Sequence, residues 1–209
     1  MNTRWRLFLA APRFLPLVGA LMGAVGGVVY WVAAQIWPTS IAVVLSMITT
    51  ALLCAGTGAS SGIGARATGL STLGFVFAVL MKYNALMALS AANLPFPLPA
   101  NVALGLIMIA AHAASRALVV SVIALPTQPA SKPVANGDLA LALAIGFAPA
   151  ALIGIPGLIG LVAAIVARIA FTAYVRRNRK RSATEEPDVI QQLTEVCFYL
   201  GALATWGYV

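Results

Sequence analysis

Residues Leu139–Val175 read LALALAIGFAPAALIGIPGLIGLVAAIVARIAFTAYV, with Arg168 as the one charge, and then give way to Arg176, Arg177, Arg179, Lys180 and Arg181. A bilayer core takes about 20 apolar residues of helix, within roughly 17 to 25. The run is too long for one crossing and supplies two. Ile155-Pro156-Gly157 is the natural break, because proline has no N–H with which to continue a helix. Outward from this run, apolar length predicts seven spans: Phe14–Trp37, Ile41–Cys54, Leu70–Ala92, Val102–Leu125, Leu139–Ile153, Leu158–Val175 and Ile190–Val209. The second and fifth are the shortest. The expected fold is all-α, a polytopic transmembrane helical bundle forming a single integral membrane domain over residues 1–209.

Composition points the same way. The chain is 61% apolar and 9% charged, outside the range of soluble domains. Of its 13 Lys and Arg, ten fall in four segments: Arg4, Arg6 and Arg13; Arg66; Lys132; and Arg176, Arg177, Arg179, Lys180 and Arg181. Cytoplasmic loops retain Lys and Arg, so these segments are expected on the cytoplasmic side together with the N-terminus. The outer connections are then Pro38–Ser40, Asn93–Ala100 and the Pro156 turn, all uncharged. Basic loops beside anionic lipid headgroups account for the net charge of +8, and no nucleic-acid partner is expected. The first span does not read as a cleaved signal peptide: its apolar stretch is long, and no small-residue cleavage site follows Trp37. Cys54 and Cys197 lie in apolar segments near opposite ends of the chain and read as packing residues, with neither a disulfide framework nor a metal-binding spacing.

Two glycine patterns need opposite treatment. Gly19-x3-Gly23-x3-Gly27 places small residues on one helical face, where a second backbone can approach closely. Thr57-Gly58-Ala59-Ser60-Ser61-Gly62-Ile63-Gly64 spells the cofactor loop of short-chain dehydrogenases, but that loop works only between a strand and a helix of a βαβ unit. Here a membrane helix precedes it, and Tyr83 is followed four residues on by Met87 rather than the lysine of that family. No dinucleotide site is expected.

Lys82, Arg116 and Arg168 lie inside predicted spans. A charge at the bilayer centre costs about 2.5–3.5 kcal/mol on the mildest scale, so each needs a partner or a wet cavity. Arg168 is near enough to the basic loop to snorkel. His112 and Arg116 are four residues apart on one helical face. They suit either an interhelical polar clamp or a cytoplasm-facing pocket for an anionic group. The acids are Asp138, Glu185, Glu186, Asp188 and Glu195, and no close acidic pair inside a span is expected. Glu185, Glu186 and Asp188 either balance Arg176–Arg181 or offer hard oxygen ligands to a divalent cation.

Several blocks, in order, resemble one family. Leu15-Pro16-Leu17-Val18-Gly19-Ala20-Leu21-Met22-Gly23 followed by Val29-Tyr30-Trp31 is similar to the first span of the cobalamin-5'-phosphate synthases, or adenosylcobinamide-GDP ribazoletransferases. Ala111-His112-Ala113-Ala114-Ser115-Arg116 followed by Leu125-Pro126 resembles their His/Ser-Arg helix. Gln191-Gln192-Leu193-Thr194-Glu195 and Phe198-Tyr199-Leu200-Gly201 resemble their closing span, and Arg66 and Lys82 keep the spacing of a basic loop and the span after it.

The resemblance implies an enzyme of the bacterial cell inner membrane that joins α-ribazole or its 5'-phosphate to adenosylcobinamide-GDP, with release of GMP, late in cobalamin biosynthesis. It implies Mg²⁺ as cofactor, substrate contacts from Arg66, Lys82, Ser115 and Arg116, a catalytic role for His112, and Glu185 as a catalytic residue and metal ligand. A homo-oligomer is compatible with it. The chain departs from the family pattern at two places. An Asp-rich loop is expected after the second span, where Gly56–Gly64 has no acid, and a Thr-Gly-Asp motif is reduced to Ala183-Thr184-Glu185-Glu186-Pro187-Asp188-Val189. Weak or absent turnover is therefore expected. Two other readings stand beside the enzyme: an inactive relative that binds corrinoid or a membrane partner, and a small membrane transporter using His112, Arg116 and Lys82.

Overall fold

The computed structural model describes residues 12–56, 69–91, 99–124, 134–177 and 186–206. After a short 3₁₀ turn, Pro12–Phe14, the described residues form seven α-helices: α1 Leu15–Ala33, α2 Thr39–Gly56, α3 Gly69–Ala91, α4 Ala100–Ile123, α5 Asn136–Ile153, α6 Ile155–Arg177 and α7 Glu186–Trp206. They are an all-α polytopic bundle, one helix for each predicted span. Five of them are long and apolar enough to cross a membrane by length and composition, while α2 is shorter in its apolar part. In α7, Gln191, Gln192 and Glu195 dilute the apolar character, and the structure turns Gln191 and Glu195 inward.

The expected break at Pro156 moves back to Gly154. This glycine ends α5 at φ +81°, the left-handed region that favours glycine. Helix α6 then begins at Ile155 with Pro156 in its first turn, where a missing N–H costs nothing. The proline opens the second helix rather than breaking the run. The two helices then cross tightly: a Cβ on Gly157 would lie 2.1 Å from the Ala150 carbonyl oxygen of α5.

Helix α4 is the axis of the bundle. Of its apolar window 72% is buried, against 39% in α1 and less in the other spans. Ala110, Ala111, Ala113, Ala114 and Ala117 are fully buried along it, and these small residues let neighbouring backbones close in. The glycine stripe of α1 meets it: a Cβ on Gly19 would lie 2.3 Å from His112 O, and one on Gly23 2.5 Å from Met108 O. Gly146 of α5 approaches α4 at Ala117 and Ala113, beside Pro16 of α1. Outward-facing Leu73, Phe75, Val76, Phe77, Leu152, Val162 and Val166 leave the apolar coat that a lipid-facing surface requires. At one end of the bundle Arg13 and Asp138 pair at 3.4 Å, which places the start of α1 beside the start of α5.

The dehydrogenase-like stretch Thr57–Gly64 and the basic residues Arg66 and Lys132 lie outside the described residues. What leads up to Thr57 is helix α2, not the strand a dinucleotide loop requires.

A buried polar cluster as candidate functional site

Polar side chains from three helices converge where α4 meets α3 and α7. Glu195 of α7 is 1% exposed and sits nine residues into its helix, roughly 14 Å at 1.5 Å per residue. Lys82 Nζ of α3 lies 2.5 Å from Glu195 Oε1, and His112 Nε2 of α4 lies 3.2 Å from the same oxygen. The Lys82 ammonium also stands 5.9 Å from the centroid of the Tyr199 ring, within cation–π range. His112 is 1% exposed, and neither of its ring nitrogens makes an aligned hydrogen bond.

One helical turn along α4 lies Arg116, 2% exposed. Its stem crosses Gly19, where a Cβ would come within 2.8 Å of Arg116 Cδ. The guanidinium Nη2 donates to Met22 Sδ at 3.0 Å and to Cys54 Sγ at 3.5 Å, and Nε has no partner. Gln191 Nε2 reaches the same Cys54 sulfur at 3.9 Å. This part of the cluster therefore sits toward the bundle end formed by the C-terminus of α2 and the N-terminus of α7.

Of the sequence-predicted site residues, the structure brings together Lys82, His112 and Arg116. Ser115 is buried beside them, but its hydroxyl donates to His112 O of its own helix at 3.1 Å. Arg66 and Glu185 lie outside the described residues. Arg168 is held apart from the cluster and donates to Ser121 O, a carbonyl in the last turn of α4, at 3.0 Å.

One sequence expectation changes and one contact is new. Glu195 forms a close ionic contact inside a span with Lys82 and His112, partners the sequence reading did not give it. The signal was present in the charge inventory: Lys82 needed a partner, and Glu195 was the one carboxylate well inside a predicted span. Cys54, read as a packing residue, instead receives the long side chains of Arg116 and Gln191. Nothing in its sequence neighbourhood signalled that contact.

Among the described residues no group of His, Cys, Asp or Glu is arranged to hold a metal ion. The cluster's one carboxylate is engaged by Lys82 and His112. The described residues therefore do not fit a Mg²⁺ site, which needs several oxygen ligands in near-octahedral geometry.

Comparison with known proteins gives the cluster its context. The chain is 32% identical to the adenosylcobinamide-GDP ribazoletransferase of Leptothrix cholodnii over 231 aligned positions, covering 93% of this chain and 85% of that protein. It belongs to the adenosylcobinamide-GDP ribazoletransferase family. Proteins of the same name from Ralstonia nicotianae and Shewanella amazonensis are 29% and 28% identical, each aligned with 94% of this chain and with 84% and 85% of their own lengths. No family profile matches the chain, and no solved structure matches it.

Proposed function

We propose that this chain is an adenosylcobinamide-GDP ribazoletransferase of late cobalamin biosynthesis, in the bacterial inner membrane, working at the bundle end that carries the basic loops on the cytoplasmic side. In this reaction a hydroxyl oxygen of α-ribazole or its 5'-phosphate attacks the phosphorus that carries the cobinamide. The bond from that phosphorus to GMP breaks, and GMP leaves as the hydroxyl proton is lost. Such transfers rest on positioning and on charge stabilisation of phosphoryl oxygens.

The observation that supports the reading, beside the family, is the buried cluster itself. Lys82, His112, Arg116 and Glu195 are all 7% exposed or less inside an apolar bundle. Ionisable groups at that depth are expensive and mark functional positions by default. Arg116 has no carboxylate among the described residues within ion-pair distance, whereas Lys82 is paired with Glu195. Ligands for Mg²⁺ would have to come from outside the described residues, with Glu185 the candidate.

A second reading, a relative that binds the corrinoid without turnover, is favoured by one feature: Gly56–Gly64 contains no acid where the family pattern has several. The two are separated by incubating purified protein in lipid with adenosylcobinamide-GDP and α-ribazole and following GMP. GMP release above that of an Arg116→Gln control supports the transferase. Saturable corrinoid binding without GMP release supports the inactive relative.

A further inference from the structure

We infer that Arg116 and Gln191 form a binding site for a phosphate group, whose place the sulfur atoms of Cys54 and Met22 hold in this state. Three observations carry it. Arg116 is 2% exposed and a guanidinium offers five N–H donors, yet its contacts are a thioether and a thiol, both weak acceptors, and Nε has none. Gln191, 8% exposed, aims its amide at the same Cys54 sulfur from a different helix. Buried donors on two helices thus converge on one thiol sulfur, a weak acceptor for either.

Charge balance is the third observation. Among the described residues the cluster holds two basic side chains, Lys82 and Arg116, and one carboxylate. Glu195 lies against Lys82 at 2.5 Å, while no carboxylate among the described residues lies within ion-pair distance of Arg116. One buried positive charge is left over, and it belongs to the arginine. A phosphate answers both deficits, since it carries the missing negative charge and presents several acceptor oxygens to a planar fork of donors. Lys82, by contrast, already has a carboxylate partner in Glu195.

The site stands on charge and donor geometry; only the carrier of the phosphate rests on the transferase reading. That carrier is either a soluble phosphorylated substrate or the headgroup of an anionic phospholipid entering between helices.

Because Cys54 lies at the site and is partly exposed, its alkylation reports occupancy. Cys197→Ala protein is placed in phosphatidylcholine nanodiscs, and its labelling by N-ethylmaleimide is followed with and without inorganic diphosphate, at constant ionic strength. Labelling is expected to slow about tenfold at ten times the half-protecting concentration. Arg116→Gln should abolish protection. Gln191→Leu, which keeps the cation, should raise the half-protecting concentration roughly five- to tenfold. Protection that needs no diphosphate, arises when phosphatidylglycerol is added and is lost in Arg116→Gln, identifies the headgroup as carrier. Labelling indifferent to both diphosphate and anionic lipid overturns the proposal, as does protection undiminished in both variants. Protection in a protein that releases no GMP sinks the transferase reading and leaves the site. GMP release without protection sinks the site alone.

Discussion

Lys82 of α3 and Glu195 of α7 meet at 2.5 Å in the interior of the bundle, with side chains 9% and 1% exposed. Each alone would be an uncompensated buried charge, so the pair ties two helices that are distant in sequence. Removing one partner of a buried pair costs about 3–5 kcal/mol, whereas replacing both with apolar groups of similar size is close to neutral. Glu195→Gln is therefore expected to lower the thermal midpoint in detergent by roughly 10 °C. Lys82→Met combined with Glu195→Gln should recover more than half of that loss. Additive losses in the double variant would show that the two side chains do not couple.

Gly19 offers a second test, because its missing side chain admits both the His112 carbonyl and the Arg116 stem. A methyl group there meets backbone at 2.3 Å, and backbone of a central helix cannot swing aside. Gly19→Ala is expected to destabilise by about 1–3 kcal/mol through overpacking. Gly74→Ala in α3, with nothing within 4 Å, should be neutral or slightly stabilising, since alanine is the better helix former. Equal midpoints for the two variants would mean that α1 and α4 do not pack this closely.

The bundle was legible in the chain because apolar length and the spacing of basic residues are properties of consecutive residues. All seven predicted spans are helices, and their bounds shift by a few residues at most ends. The His112–Arg116 face was legible for the same local reason, a spacing of four. Glu195 and Cys54 were not picked out. Their roles depend on which helices are neighbours, and hydrophobic period carries no information about that in an apolar chain. Pro156 shows a smaller limit of the same kind: proline marks a helix boundary, but whether it ends one helix or opens the next depended on Gly154 taking the left-handed conformation.

Orientation can be tested through the Arg13–Asp138 contact, which puts the start of α1 and the start of α5 at one end of the bundle. Ten basic residues lie in the segments assigned to one side and none in the connections assigned to the other. In a background lacking both native cysteines, Trp37→Cys is expected to label with an impermeant maleimide in intact cells. Gly137→Cys, in open space at the start of α5, should label only after permeabilisation. The reverse pattern would invert the bundle and place the candidate phosphate site on the outer side.

Catalysis sets family membership against metal chemistry. The chain belongs to a ribazoletransferase family and keeps an expensive buried cluster, yet Glu185, the acid at the family's Asp position, follows five basic residues, Arg176, Arg177, Arg179, Lys180 and Arg181. Mg²⁺ dehydrates reluctantly and demands near-octahedral oxygen ligands, so a short acidic stretch in a positive field holds it poorly. Slow turnover is the expected outcome, seen as weak growth when the chain is supplied to a synthase-deletion strain fed cobinamide and α-ribazole. Arg116→Gln should remove that growth, since the remaining basic side chain, Lys82, is already paired with Glu195. Robust growth that vanishes with Glu185→Ala would show that the acid-free loop is dispensable and that Glu185 suffices. Growth indifferent to Glu185→Ala would take this carboxylate out of the site and leave the transferase in place. No growth, with protein present in the membrane, would identify the inactive relative.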